Sequence, residues 1–338
     1  MKKKIVIIGE IGVNHNGKFS LLLKLARTIK KAGADYVKIQ SYISDKVCSN
    51  SANLAPYQRK NNKLNSQLEL LKKFELTKSQ QKKFFLYCKK IKIKPLASAF
   101  DYESVDFLKQ CKMNIIKIPS GEINNLPFLE YVSKKFQKII LSTGLSNLKE
   151  VSQAVKILKK NKIRKKNLIL MQCNTSYPSN LEDSNLNVLS VFKKKFNLIT
   201  GYSDHTQDFI SSLTSVGLGA RYFEKHVTLS QNFSGPDHKA SLNSKQFQTY
   251  CSLLRKAEIS LGSHIKKCTT SEKKNLLYIR KSIYAKKKII KGELFTKDNL
   301  TIKRPALGLK PSKIGMLLGK KSKNNYYFDK LIKKQEIN

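Results

Sequence analysis

Leu198-Ile199-Thr200-Gly201-Tyr202-Ser203-Asp204-His205 and Arg221-Tyr222-Phe223-Glu224-Lys225-His226 decide how this chain is read. Each starts as an apolar, strand-like run and ends in polar or charged residues, the last a histidine. Working toward the N-terminus, the same kind of run recurs at 5–8 (ending in Glu10), 35–40, 95–100, 114–119, 138–141 and 167–173. Between the runs lie stretches with helical spacing of apolar residues, at 21–31, from 103, at 148–158 and at 244–261. Eight such units in the first 265 residues are the pattern of a closed parallel (β/α)8 TIM barrel. In that architecture the strand ends at one face build the active site, so the polar residues finishing each strand carry the chemistry.

The fit is poorest over 44–77, a long polar stretch rich in Asn, Ser and Lys. It reads as a loop over the barrel mouth with a helix at 68–74, and long loops of this kind are often functional lids. A chain of 338 residues exceeds the ~250 that such a barrel usually needs. The barrel is therefore assigned to 1–265, a linker to 266–279 and a small second domain to 280–338, where short strand-like runs alternate with turns. That domain is too small for much core of its own and needs docking in cis or to a partner.

Composition excludes several classes. No run approaches the ~20 apolar residues of a membrane span, and the basic N-terminus lacks the apolar length of a signal peptide. A cytoplasmic protein without membrane association is expected. The six cysteines form no Cys-x-x-Cys pair, which suits a reduced chain without a cysteine metal site. Cys173, at a strand end, is either a nucleophile or a small packing residue. The net charge of +43 comes with 66 Lys+Arg, of which seven are Arg. The lysines are dispersed and lack the aromatic interleaving of nucleic-acid grooves, so no nucleic-acid partner is expected. Such a field attracts small anionic substrates.

Three constellations could do chemistry. His205 and His226 finish neighbouring strands, ~4.8 Å apart in such a sheet, and could share one ion. The alternative is a pair of hydrogen-bonding histidines that orient loops. Two imidazoles suit Mn, Fe, Co or Zn and leave positions open for substrate. Lys38 and Lys117 stand at strand ends with Ser98, Ser120, Ser142 and Ser203, which together make an anion cradle. Any one of these serines could instead be a turn or cap, and Lys117 could form a Schiff base. Glu10, Glu122 and Asp237 could serve as acid, base or hydroxyl acceptors, or could be salt-bridge partners of nearby lysines.

Together these residues resemble the sialic acid synthase family. The resemblance rests on Glu10-Ile11-Gly12-Val13-Asn14-His15-Asn16-Gly17, Lys117-Ile118-Pro119-Ser120-Gly121-Glu122, Leu141-Ser142-Thr143-Gly144, Gly201-Tyr202-Ser203-Asp204-His205-Thr206, Phe223-Glu224-Lys225-His226 and Gly235-Pro236-Asp237-His238-Lys239-Ala240-Ser241-Leu242, in family order. The tail from Arg280 to Gly319 resembles the antifreeze-like (SAF) domain of those enzymes.

The resemblance implies a transferase, in a domain-swapped homodimer, that condenses phosphoenolpyruvate with an N-acetylated amino-hexose and releases phosphate by C–O cleavage. It implies that His205 and His226 hold a divalent metal ion, manganese first with magnesium or cobalt as alternatives, that polarises the sugar aldehyde. Glu10 then matches the acid/base glutamate. Lys38, Lys117, Ser98, Ser120, Ser142, Thr175 and Ser203 match positions around phosphoenolpyruvate. Gln40, Glu122, Tyr177 and Asp237 match positions around the sugar, and Arg304 matches an arginine that reaches a partner's barrel. The chain departs from the family at Ala97-Ser98-Ala99-Phe100, where Ser-Thr-Pro-Phe is common, at Thr175, where Asn or Ser is usual, and after Pro305, where a glycine often follows.

The run from Asp237 to Ser241 resembles the neuraminate and legionaminate branches. N-acetylmannosamine, giving N-acetylneuraminate, is the first substrate choice. A 2,4-diacetamido-6-deoxy-mannose, giving N,N'-diacetyllegionaminate, is the second. An inactive carbohydrate- or nucleic-acid-binding protein ranks below both.

Overall fold

Successive side chains of a strand point to opposite faces, and in a parallel barrel both faces are buried. In the computed structural model, which describes residues 5–60, 64–161 and 163–337, the barrel strands are β1 (Val6–Glu10), β2 (Tyr36–Ser41), β3 (Lys94–Ala99), β4 (Ile115–Ile118), β5 (Lys138–Ser142), β6 (Leu168–Cys173), β7 (Ile199–Asp204) and β8 (Tyr222–His226). They pair in sequence order and close, β1 being parallel to both β2 and β8. Strands β7 and β8 run beyond the apolar segments that announced them, to Asp204 and His226. Polar side chains continue a barrel strand when they find partners inside it.

The inward residues nearest each strand's start include Ile8, Leu96, Ile115, Ile140, Ile169, Met171 and Tyr222, and they fill one end of the barrel. Burying each is worth roughly 1.5–3 kcal/mol. The outward residues, among them Ile7, Val37, Ile39, Ile116, Leu141, Leu170 and Phe223, join the core beneath the helices. Gly201 makes room for this packing, because a Cβ there would lie 2.6 Å from Tyr222 O and 2.8 Å from Tyr222 Cβ.

The helices that follow the strands are α1 (Phe19–Lys31), α2 (Ser44–Val47), α3 (Pro56–Lys60), α4 (Gln67–Phe74), α5 (Lys78–Lys90), α6 (Tyr102–Gln110), α7 (Leu126–Lys135), α8 (Leu148–Lys160), α9 (Val188–Phe196), α10 (Ile210–Gly217) and α11 (Ser244–Ser260). Capping boxes open α5 (Thr77, Gln80), α8 (Asn147, Glu150) and α11 (Asn243, Gln246), so their first N–H groups are satisfied locally. Among the described residues, no helix is long and apolar enough to cross a membrane.

The stretch read as a lid carries α2, α3 and α4. Leu54, Leu70 and Phe74 give it a small core that takes in Val13. Its base is pinned from two sides. Ser44 donates from N and Oγ to Glu75 Oε2, at 2.9 and 2.5 Å. Ile43 N donates to Asp101 Oδ2 at 2.9 Å, while Asp101 Oδ1 caps α6 by accepting Ser104 N.

The chain divides into two units, residues 1–262 and 263–338. The second contains α12 (Thr270–Lys273), α13 (Leu276–Ile279) and the antiparallel pair β9 (Ser282–Ala285) and β10 (Leu300–Lys303). Its core is built on Ile283, Ile289, Phe295, Leu300, Leu317 and Ile332. The stretch read as a linker, 266–279, clusters with this unit, and Ala306 N donates to Leu277 O at 2.7 Å.

Gly201→Ala is expected to destabilise the barrel by about 1–3 kcal/mol, because the obstructing atoms include a backbone carbonyl that cannot rotate away. A lowered midpoint in urea denaturation is the expected result. An unchanged midpoint would contradict this packing.

Candidate active site

At the C-terminal ends of the strands the inward positions change from apolar to charged. Register sets the arrangement. Glu10 pairs with Lys38 on one side and His226 on the other, Ser98 with Lys117, and Ser203 with Glu224. These residues surround a cavity of about 580 Å³. Of the residues predicted from sequence, Glu10, Lys38, Gln40, Ser98, Lys117, Ser120, Ser142, Thr175, Tyr177, Ser203, His205 and His226 line it.

Three predicted residues lie elsewhere. Glu122 sits in a short 3-10 turn after β4, half-buried, where its Oε2 accepts from Asn125 Nδ2 at 2.7 Å. Asp237, on the loop after β8, is not part of the cavity lining but has its Oδ2 3.5 Å from His226 Nδ1. Arg304 follows β10 in the second unit.

The floor is a buried charge cluster. Lys38 Nζ lies 2.9 Å from Glu10 Oε2, 3.5 Å from Glu224 Oε1 and 2.9 Å from Ser98 Oγ. Lys117 Nζ donates to both oxygens of Glu224 at 2.9 Å, and Ser203 Oγ donates to Glu224 Oε1 at 3.3 Å. The lysines of the predicted anion cradle are thus neutralised by the protein's own carboxylates. Glu224 was not among the predicted site residues. Strand parity could have found it, because Tyr222, Glu224 and His226 share one face of β8 and Tyr222 lies in the interior core.

The two carboxylates are not equivalent. Burial pushes the Glu10 carboxyl well above the usual range; Lys38 opposes the rise and the nearby Glu224 charge adds to it. Burial acts on Glu224 in the same direction, but Lys117 and Lys38 together outweigh it and hold Glu224 ionised. Burial works against the charge on Lys38, and Glu10 and Glu224 more than restore it. Among the described residues, none gives either oxygen of Glu10 a well-aligned hydrogen bond despite the ion pair. A carboxyl so placed can exchange a proton with a group entering the cavity. Asp237 is similarly pushed up to about 7 by burial.

The imidazoles of His205 and His226 face each other edge to face, ring centroids 5.4 Å apart, with Tyr177 4.2 Å from His205 and 5.6 Å from His226. Burial lowers the pKa of His205 to about 4 and that of His226 well below the usual value, so both are neutral at physiological pH. Nδ1 of His205 donates to the Asn174 carbonyl, which leaves the Nε2 lone pair free to ligate. Among the described residues, buried His226 Nδ1 has no hydrogen-bond partner. Gly12, at φ +53°, keeps this corner open, since a Cβ there would lie 3.1 Å from His226 Cε1 and 3.2 Å from Asp237 Oδ2.

Neutral, buried, convergent imidazoles fit a divalent ion. Among the described residues, no group of three or more His, Cys, Asp or Glu side chains forms a ready-made cage. His205 and His226 could hold such an ion and would leave its remaining positions open, as catalytic sites require.

Behind the barrel wall, the outward neighbours of these histidines form a second buried pair. Lys225 Nζ lies 3.0 Å from Asp204 Oδ1, both side chains fully enclosed. Asp204 also accepts from Thr206 N, Thr206 Oγ1 and Ser212 Oγ. This network fastens β7 to β8 directly beside the two imidazoles. Cys173 is free and sits 3.0 Å from Ser120 Oγ, which also accepts from Gly144 N at 3.0 Å. The thiol is thus a neighbour of a cavity hydroxyl.

The chain is similar to known proteins along most of its length. The NeuB family model matches residues 25–266, and the SAF domain model matches residues 280–337. The N,N'-diacetyllegionaminic acid synthase of Campylobacter jejuni is 45% identical over 98% of this chain and 99% of its own. The pseudaminic acid synthase of the same strain is 34% identical, covering 99% of this chain and 97% of its own. The crystal structure of an N-acetylneuraminic acid synthetase from Leptospira borgpetersenii superposes with a TM-score of 0.72 at 28% identity, over 80% of this chain and 90% of that one. The TIM barrel with its SAF domain, matched along nearly its whole length by such synthases, belongs to the NeuB family of nonulosonic acid synthases.

Proposed function

We propose that this enzyme condenses phosphoenolpyruvate with a 2,4-diacetamido-6-deoxy-mannose to give N,N'-diacetyllegionaminate and phosphate. The observation that carries the synthase reading is the juxtaposition, in one cavity, of two buried ammonium groups with two neutral imidazoles. An enolpyruvyl phosphate needs cations for its carboxylate and phosphate, and an aldehyde needs an electrophilic partner. N-acetylmannosamine ranked first on the sequence alone. The 45% identity to the legionaminate enzyme, against 34% to the pseudaminate enzyme of the same strain, supports the diacetamido sugar instead.

In this reading Lys38 and Lys117 turn from Glu10 and Glu224 toward the substrate's anionic groups, assisted by hydroxyls of Ser98, Ser120, Ser142, Thr175 and Ser203. Gln40 and Tyr177 face the sugar from the cavity lining, and Asp237 and Glu122, which stand just outside that lining, join them once the sugar is bound. His205 and His226 would hold a divalent ion, manganese first, whose contribution when bound is Lewis-acid polarisation of the aldehyde. The methylene carbon of phosphoenolpyruvate forms the new bond to the aldehyde carbon, and the aldehyde oxygen becomes a hydroxyl. Water adds to the carbon bearing the phosphate, with Glu10 accepting its proton. The C–O bond to phosphate then breaks, the bridging oxygen leaves with phosphate, and a 2-keto acid remains. The working form is proposed to be a domain-swapped homodimer in the cytoplasm, with Arg304 of one chain reaching the sugar's acetamido group in the other.

Purified protein with phosphoenolpyruvate and each sugar, scored by phosphate release, tests the reading; release with no acetamido sugar would sink it. His205→Ala and His226→Ala should each abolish release while the circular dichroism spectrum is retained, and chelation should do the same to the parent enzyme. Wild-type-like rates in either variant would remove the ion from the reaction.

Glu10 acts as a base only when deprotonated, and burial raises its pKa, so kcat/KM should climb with pH through a limb above the usual carboxylate range. Glu10→Gln should flatten that limb and lower kcat by about 10²–10⁴-fold. A variant that keeps the limb would assign it to another group. Arg304→Ala should raise the KM of the sugar far more than that of phosphoenolpyruvate. Equal effects would contradict its placement on the acetamido group.

A further inference from the structure

The cavity has two chemically distinct walls. The floor is charged and hydroxylated, as described. The lid and its roots contribute Tyr42, Val47, Ala55, Pro56, Leu71 and Phe100 to the lining. The polar lid groups lining the cavity are the neutral amides Gln58 and Gln67.

Among the described residues, no lid side chain lining the cavity carries a charge. That is notable in a chain where 66 of 338 residues are Lys or Arg. Two lid lysines are well exposed and paired, Lys72 with Asp45 and Lys46 with Glu103.

The apolar wall is also held in place. Tyr42 donates its hydroxyl to Leu71 O at 3.1 Å and meets the Phe100 ring edge-on at 5.9 Å. The Leu54, Leu70 and Phe74 core braces the lid.

The direction of the sugar follows from the reaction. Its aldehyde carbon must reach the enolpyruvyl carbon on the charged floor, so the far end of the open chain points toward the lid. We infer that the wall of Tyr42, Val47, Leu71 and Phe100 determines specificity at that far end, selecting a deoxygenated, acetamido-bearing hexose over a polyhydroxylated one. This rests on the synthase reading above. A terminal hydroxyl set against Val47, Leu71 and Phe100 gives up its water without gaining a partner from those side chains. A terminal methyl and an N-acetyl methyl gain burial there instead. Discrimination of one hydroxyl in an apolar pocket is on the order of 10²-fold.

The test compares kcat/KM for 2,4-diacetamido-6-deoxy-mannose and N-acetylmannosamine in the full-length manganese-loaded enzyme and in Val47→Thr, Leu71→Asn and the double variant. The wild type should favour the diacetamido sugar by about 100-fold. The double variant should reduce that ratio below about tenfold, with the loss seen in the KM of the diacetamido sugar. Val47→Thr preserves side-chain volume and carries the test alone if Leu71→Asn melts early. A wild type that favours N-acetylmannosamine, or normally melting variants that keep the wild-type ratio, overturns the lid assignment and leaves the synthase reading standing. No phosphate from either sugar with the wild type overturns both.

Discussion

Four charges buried in the mouth of an apolar barrel govern this protein. Glu10, Lys38, Glu224 and Lys117 are tolerated there because they neutralise one another at 2.9–3.5 Å. Removing one member would leave a buried charge uncompensated, a loss of about 3–5 kcal/mol in comparable pairs. The rest of the fold serves this arrangement. An apolar plug of Ile8, Leu96, Ile115, Ile140, Ile169 and Tyr222 closes the barrel beneath it. The strand register sets Glu10 level with both Lys38 and His226. Behind the wall, the enclosed Lys225–Asp204 pair ties together the strands that deliver the two imidazoles.

The cluster also distributes protons unequally. Glu224 touches both lysines and stays ionised, whereas Glu10, among the described residues, has one ion-pair partner, Lys38, and no well-aligned hydrogen bond. One carboxylate is thus suited to holding cations in place and the other to moving a proton. In the proposed reaction an anionic substrate displaces the lysines from their internal partners, so the site exchanges one set of neutralising contacts for another.

Much of this was legible in the sequence, and what was missed has physical reasons. Strand ends such as Lys117-Ile118-Pro119-Ser120 and Tyr202-Ser203-Asp204-His205 announced themselves because apolar runs terminate there, and most residues picked from them line the cavity. Glu224 is harder to pick out because the apolar run of its strand stops at Phe223. Only when β8 is extended to His226 does its parity with Tyr222 become evident. Glu122 stands in the turn Ser120–Glu122, where its carboxylate accepts from Asn125, a contact that the motif does not reveal. The lid's apolar face was hidden because its residues, from Tyr42 to Leu71, are far apart in a polar stretch and have no single periodicity. Only tertiary contacts bring them to one wall.

The central claim is a condensation in which water attacks carbon and phosphate leaves with the bridging oxygen. It is tested most directly with phosphoenolpyruvate carrying ¹⁸O at the bridging position, incubated with the enzyme, manganese and 2,4-diacetamido-6-deoxy-mannose, with the phosphate analysed by mass spectrometry. Phosphate that retains the label is the predicted result. Phosphate released without it would show P–O cleavage and contradict the account.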